Sequence, residues 1–103
     1  MPMGQNYKVK LYPEAEQDLV DIVNDLKTLS EEAARCYYKM LLEQIACLSS
    51  TPERCARPRD LVLAVKGYRY LIVKKYLVFF IVVGDTVQIH RILYGRSDYR
   101  SIL

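Results

Sequence analysis

The last third of the chain constrains its fold more than any other part. It contains three apolar runs, which are separated only by the pairs Lys74-Lys75 and Gly84-Asp85. Breaks as short as these allow consecutive strands to run only antiparallel to each other. The segment therefore predicts a three-stranded antiparallel meander. The predicted strands cover about 68–74, 76–83 and 86–94.

The preceding part of the chain has helical periodicity. Residues 5–12 alternate like a short strand, and Pro13 then stands where a helix can begin, since proline is tolerated at the first helical position. Apolar residues recur at three- and four-residue steps to about Thr28. They recur again from Ser30, a favourable N-cap, to about Ser50. Because only a short turn separates them, the two helices are expected to form an antiparallel hairpin.

The region between the helices and the meander has a different composition. Residues 51–60 contain two prolines and three arginines, and they are expected to form an irregular crossing from helices to sheet. The short apolar segment 61–65 is expected to be a loop or a weak strand. The order β-α-α-β-β-β predicts an α+β fold with a helical hairpin packed on a small antiparallel sheet. Residues 1–103 are expected to form a single domain.

Positive charge is concentrated in the predicted sheet. Residues 66–103 carry seven Lys or Arg against two Asp, whereas the rest of the chain carries eight Lys or Arg against ten Asp or Glu. A basic surface of this kind suits a polyanionic or acidic partner. The longest apolar run is too short to span a bilayer, and the N-terminus lacks the apolar region of a signal peptide. A cytoplasmic location without membrane contact is therefore expected.

The cysteines and the missing motifs exclude several kinds of site. Cys36, Cys47 and Cys55 are expected to be free thiols, buried or partly buried, since an odd number without an export signal argues against a disulfide framework. No Cys/His spacing suggests zinc, and no phosphate-binding glycine loop is present. Neither a metal nor another cofactor is expected.

The stretch YRYLIVKKYLVFFIV, followed by VQIHRILYGRSDY, resembles the RelE/ParE superfamily, the toxins of bacterial type II toxin–antitoxin modules. The short strand followed by Pro-Glu-Ala at the start of a helical hairpin is also similar to these toxins. The resemblance covers nearly the whole chain, and its most specific part runs from Arg69 to Asp98. It implies a compact α+β toxin that arrests growth and is neutralised by a cognate antitoxin. An acidic or amphipathic antitoxin segment is expected to cover the basic sheet or the helical hairpin. A homodimer and a toxin–antitoxin hetero-oligomer are both left open.

The resemblance leaves the target open. RelE-like members bind the ribosomal A site and cleave mRNA, whereas ParE-like members inhibit DNA gyrase and are not known as nucleases. This chain has Tyr76-Leu77 where RelE-like enzymes place an arginine, and Arg96 is followed by Ser97 where they have a second basic residue. These departures favour a ParE-like gyrase inhibitor, which would not be an enzyme. A ribosome-dependent mRNA endonuclease and a non-toxic RNA-binding or structural domain remain the alternatives.

Candidate site residues follow from the two target classes. RNA cleavage needs proton transfer and cations that stabilise the crowded phosphorane. If the chain is a nuclease, the catalytic candidates are Arg69, His90, Arg96 and Tyr99. The candidates for target binding are Lys74, Lys75, Tyr94, Arg96 and Arg100.

Several of these residues also have a structural interpretation. Alternation along the last strand predicts one face with Val87, Ile89, Arg91 and Leu93, and another with Gln88, His90, Ile92 and Tyr94. On its apolar face Arg91 would need a partner, and a salt bridge to a helix carboxylate is expected. His90 is expected to be a half-buried strand histidine bonded to a neighbour, with a general acid/base role as the alternative. Arg69 shares a face with the apolar residues of its own strand, so burial there would also demand a partner.

Overall fold

The computed structural model describes residues 7–95 and residue 103. The strands are β1 (Lys8–Leu11), β2 (Tyr68–Val73), β3 (Tyr76–Val83) and β4 (Thr86–Tyr94). The helices are α1 (Pro13–Lys27), α2 (Glu31–Cys47) and α3 (Leu61–Val65), with a 3-10 turn at Pro52–Arg54. The predicted α+β fold, with a helical hairpin before a three-stranded meander, is confirmed.

The segment 61–65 is helical, so the expectation of a loop or a weak strand was wrong. The Asp60 carboxylate accepts a hydrogen bond from the backbone N–H of Leu63 at 3.2 Å and caps the short helix α3. Only Leu63 of this helix is buried. A single turn of helix is too short for its apolar periodicity to be distinguished from that of a strand.

The four strands form one sheet in the order β1-β4-β3-β2. Strands β2, β3 and β4 are antiparallel neighbours, as predicted. Strand β1 pairs with β4 in parallel, so the sheet is mixed rather than wholly antiparallel. No tight turn links β1 to the meander, and the intervening helices allow either direction.

Each of the two tight turns of the meander contains one residue with a positive φ angle. Gly84 has φ 61° in the turn that pairs Val83 with Thr86, where glycine carries no steric penalty. Lys74 has φ 57° in the β2–β3 turn, an uncommon conformation for a side chain other than glycine. The carbonyl of Lys75 accepts a hydrogen bond from the N–H of Gly95 at 2.8 Å, which joins this turn to the end of β4.

The helical hairpin forms as its sequence signals predict. Helix α1 begins at Pro13, and the Ser30 hydroxyl accepts a hydrogen bond from the N–H of Ala33 at 3.1 Å at the start of α2. The apolar stripe of α1 is buried against α2 and the sheet. The central members of this main core are Leu19, Ile22, Leu41, Ile45, Val78, Phe80, Val87 and Ile89.

A second, smaller core lies on the opposite face of the sheet. It consists of Leu63, Tyr68, Phe79 and Leu93, and the side chain of Leu103 packs against it. Helix α3 contributes one residue to this core and leaves the rest of its apolar side chains outside. Within the described part of the chain, the second core is therefore much smaller than the first.

A β-bulge in β4 changes the predicted alternation of its side chains. Phe80 pairs with Ile89 and Phe79 pairs with Arg91, so His90 is an extra residue in the ladder. Beyond the bulge the faces exchange, and Ile92 joins the main core that also holds Ile89. The prediction that His90 and Ile92 share a face was wrong for this reason, because strict alternation assumes an uninterrupted ladder.

Two further expectations concern the thiols and the membrane. The three cysteines are free, as predicted, but Cys36 and Cys47 are exposed rather than buried, and Cys55 is half-buried. Within residues 7–95, no helix combines the length and the apolar character needed to cross a membrane.

Candidate functional site

Arg69, predicted as a catalytic cation, is held by the backbone of residues 51–60, which we call the crossing segment. Its Nη1 donates to the carbonyl oxygens of Glu53 and Cys55, both at 3.0 Å. The N–H of the next residue, Tyr70, donates to the carbonyl of Ala56 at 3.0 Å. The guanidinium therefore fastens the crossing segment to the edge strand β2.

Arg91 forms the predicted salt bridge to a helix carboxylate. Its Nε and Nη2 donate to the two carboxylate oxygens of Asp18 at 2.7 and 2.8 Å. The N–H of Ile92 donates to the same carboxylate at 3.0 Å. This bidentate bond raises the pKa of Arg91 above its ordinary value. Asp18 therefore accepts a backbone hydrogen bond of β4 just beyond the last residue that pairs with β1. Through this bond and the salt bridge, it joins α1 to the bulged part of the sheet.

His90 is a half-buried histidine bonded to its neighbours, as its structural interpretation predicted. Its ring stacks on Tyr12 with centroids 4.7 Å apart, its Nδ1 lies 3.1 Å from the Tyr68 hydroxyl, and its Nε2 lies 3.3 Å from Gln88 Oε1. Since an amide oxygen can only accept, Nε2 carries the proton and Nδ1 accepts from Tyr68. Both ring nitrogens are thus occupied within the protein.

Burial also favours the neutral form of the His90 ring. It lowers the pKa of His90 below its ordinary value, and the opposing effect of nearby Glu14 is smaller. Burial likewise raises the pKa of the Tyr68 hydroxyl. A pocket of about 280 Å³ opens beside these rings, and Arg91 also lines it. Among the described residues that line this pocket, the cation is Arg91, which is already paired with Asp18.

Lys74, Lys75 and Tyr94, predicted to bind the target, lie together at one end of the sheet. The ammonium of Lys75 is 6.0 Å from the centroid of the Tyr94 ring. The rings of Tyr94 and Tyr76 pack edge to face, with their centroids 6.1 Å apart. Tyr94 and both lysines are exposed. This end of the sheet therefore presents two cations and an aromatic ring to solvent.

The other predicted site residues are Arg96, Tyr99 and Arg100. They lie outside the described residues. Their proposed roles in catalysis or target binding remain predictions.

One exposed surface was missed by the sequence reasoning. It is formed by the crossing segment and α3, and we call it the crossing surface. Its residues are Arg57, Arg59, Leu61, Val62, Val65 and Lys66, all of them exposed. Arginines among prolines, followed directly by the apolar run LVLAV, were the available signal. The segment was interpreted only as a connection because its helix was not recognised.

Residues 7–95 and 103 contain no group of three His, Cys, Asp or Glu side chains that could hold a metal ion.

Comparison with known proteins identifies the family to which this fold and sequence belong. Residues 9–99 match the family described as the ParE toxin of the type II toxin–antitoxin system parDE. The chain belongs to the ParE toxin family. A comparison with curated protein sequences gave no match.

A solved structure agrees with this assignment. The structure described as the chromosomal ParDE TA system from P. aeruginosa is similar with a TM-score of 0.74 and 25% sequence identity. The similarity covers 85% of this chain and 95% of that one. Membership in a ParDE-type toxin–antitoxin system implies an antitoxin partner for this ParE-family chain.

Proposed function

We propose that this chain, acting as a single domain, arrests growth by inhibiting DNA gyrase through protein contact. In this proposal a cognate antitoxin neutralises it by covering the surface that the target would use. The observation that carries the proposal is the match of residues 9–99 to the ParE toxin family. The way the chain uses its strand cations gives independent support.

The arginines of β2 and β4 are engaged in the structure of the protein itself. Arg69 holds two backbone carbonyls of the crossing segment, and Arg91 is paired bidentately with Asp18. A guanidinium that stabilises a phosphorane must be able to turn its donors towards the phosphate oxygens. The contacts of each arginine fix its guanidinium against another part of the fold, so they limit how far it can turn towards a phosphate. This arrangement favours a binding protein over an endonuclease.

The environment of His90 supports the same conclusion. A general acid must carry a proton that it can release to the leaving oxygen, and a general base needs an available lone pair. The Nδ1 lone pair of His90 accepts from Tyr68, and its Nε2 proton is directed to Gln88. The ring is thus committed to three neighbours, including the stacked Tyr12. A structural role accounts for all these contacts.

The decisive experiment expresses the chain without its antitoxin and follows both targets. Purified toxin is titrated into a gyrase supercoiling assay, and mRNA from induced cells is mapped for cleavage on ribosomes. We expect loss of supercoiling with intact mRNA. An Arg96→Ala variant serves as the control for a nuclease, since Arg96 is the predicted catalytic residue nearest to the end of β4.

Each outcome has a definite meaning for the target. Codon-phased cuts that disappear in the Arg96→Ala variant, together with unaffected supercoiling, would replace the gyrase proposal with the mRNA endonuclease. Growth that continues normally on induction would favour the non-toxic RNA-binding or structural domain. If a small protein is encoded in the adjacent reading frame, rescue of growth by its co-expression would identify it as the antitoxin.

A further inference from the structure

The crossing surface combines an apolar centre with a rim of positive charge. Leu61, Val62 and Val65 are 75%, 55% and 78% exposed, and their spacing places them on one side of α3. Arg57, Arg59 and Lys66 flank them along the chain. Within residues 57–66 the only acidic residue is Asp60, whose carboxylate caps α3. A contiguous exposed apolar patch with a polar rim is typical of a surface that binds a partner.

The backbone beneath this surface is held in place. Leu63 is buried in the second core, so one side of α3 is anchored to the sheet. The segment that leads into the crossing surface is fastened by Arg69, through the carbonyls of Glu53 and Cys55, and by the pairing of Ala56 with Tyr70. The apolar side chains are therefore presented by a fixed backbone. Preorganisation of this kind reduces the conformational entropy that is lost on binding.

A groove runs from the crossing surface to the predicted target-binding end of the sheet. It has a volume of about 400 Å³, and Arg59, Tyr70, Leu77 and Phe79 are among the side chains that line it. Its far end reaches Gly95, whose N–H is bonded to the carbonyl of Lys75. Arg59 and Asp60 are the charged side chains that line this groove, and the rest of its described lining is largely apolar. Such a groove can receive an apolar anchor from a protein partner, with an acidic side chain placed beside Arg59.

The chemistry of the surface selects a protein partner over a nucleic acid. Phosphate backbones are bound by cations and hydrogen-bond donors, and they make no use of exposed leucine and valine side chains. Protein interfaces combine an apolar centre with a polar rim in which arginine is common. The net positive charge further specifies that the partner surface is acidic.

The groove along the helical hairpin has no net positive charge that would favour an acidic partner. It is lined by Val23 and Tyr38, but Lys27 and Arg35 on it are balanced by acidic residues of the same two helices. An acidic partner would gain little from such a balanced rim. Of these two described regions, the crossing surface is therefore the one whose electrostatics favour an acidic protein.

We propose that the toxin docks on gyrase through the crossing surface and its groove, against an acidic gyrase segment that carries aliphatic side chains. This inference rests on the proposed function, because it names the contact surface through which that inhibition acts. The predicted target-binding residues included Lys75. The proposal adds to them the groove and the exposed residues of α3.

The test uses two pairs of substitutions and two matched controls. The variant Leu61→Ser/Val65→Ser removes the apolar centre, and Arg57→Glu/Arg59→Glu reverses the rim. The control Leu29→Ser changes an aliphatic residue that is 81% exposed in the turn between α1 and α2. The control Lys39→Glu reverses an exposed cation of α2. Thermal unfolding of each purified variant verifies the fold before its binding to gyrase and its inhibition of supercoiling are titrated.

We expect both pairs to raise the half-inhibitory concentration about tenfold or more, the effect of losing one strong interface contact. The controls should stay within about twofold of the parent, as is typical of residues outside an interface. Added KCl should reduce the defect of the arginine variant in direct binding, and it should leave the serine variant unchanged. The two pairs test the apolar and the electrostatic parts separately.

The outcomes separate this inference from the function on which it rests. If the parent chain itself fails to inhibit gyrase, the proposed function is wrong. If the parent inhibits and either folded variant inhibits equally well, the docking surface lies elsewhere and the inference is overturned. If both folded variants lose inhibition while the two controls retain it, the crossing surface is the one that docks on gyrase.

Discussion

The arginines of the sheet bind acceptors within the protein, whereas Arg57 and Arg59 of the crossing segment are exposed to solvent. Arg69 and Arg91 point to acceptors within the protein and join separate elements to the sheet. Arg57 and Arg59 are exposed beside the apolar side chains of α3. Positive charge is concentrated in the last third of the chain, yet two of its cations, Arg69 and Arg91, are structural. Counting cations by region therefore does not identify the cations that are available to a partner.

Removal of the carboxylate that binds Arg91 should have the largest effect on stability. Asp18→Asn loses the bidentate bond and leaves the guanidinium, whose side chain is 27% exposed, without its charged partner. We expect a loss of about 2–3 kcal/mol in the free energy of unfolding, below the range for fully buried pairs. Urea unfolding provides the measurement. Asp21→Asn, on the exposed side of the same helix, should change stability by less than about 0.5 kcal/mol.

The next largest effect should distinguish the two groups of arginines directly. Arg69→Met retains an apolar stem but removes the donors to two backbone carbonyls, so we expect a loss of about 1–2 kcal/mol. Arg57→Met should fall within about 0.5 kcal/mol of the parent, since its side chain is exposed. Paired urea titrations compare the two variants. Equal losses would show that the crossing segment depends on both arginines, and the contrast between the groups would disappear.

The lysine in the β2–β3 turn provides a smaller and opposite effect. Lys74 has φ 57°, so Lys74→Gly relieves an unfavourable backbone conformation, although glycine adds entropy to the unfolded chain. We expect a net gain of about 0.5 kcal/mol, measured by thermal unfolding. The same variant removes one predicted target contact. Unchanged inhibition of gyrase by this more stable protein would exclude Lys74 from the docking surface.

The smallest effect concerns pH and His90. Burial lowers the pKa of His90 in the folded protein below its unfolded value near 6.5, so folding favours the neutral ring. The stability from this group is fully present above the unfolded pKa. It is lost as pH falls from there through the folded pKa. The parent should therefore lose more stability than His90→Gln when pH is lowered from 7.5 to 5.5, as followed by unfolding midpoints. Parallel pH profiles of the two proteins would contradict the neutral, buried ring.

Local signals in the sequence predicted most of the elements. Pro13 and Ser30 began the two helices where capping rules place them, and Gly84 formed the tight turn between β3 and β4. The three meander strands lie within one residue of their predicted bounds. These features depend on neighbours in the chain, so they can be recognised without knowledge of the fold.

Other features required contacts between distant parts of the chain. The bulge at His90 depends on how β4 pairs with β3, and it reverses the faces of the residues that follow. The direction of β1 was equally open, because the helices between it and the meander permit either orientation. The expected partner of Arg91 was correctly described as a helix carboxylate, but only the packing of α1 on β4 selects Asp18.

The sequence by itself therefore determined the order of the two long helices and the four strands, the family and the overall excess of positive charge. It did so through short-range periodicity, turn residues and a recognisable C-terminal pattern. The tertiary structure alone decided which cations are structural and which face solvent. The same guanidinium can fasten a loop or remain exposed, and the choice depends on acceptors that the fold brings near from tens of residues away. The crossing surface became visible for the same reason, since only packing shows that α3 buries Leu63 and leaves its other apolar side chains outside.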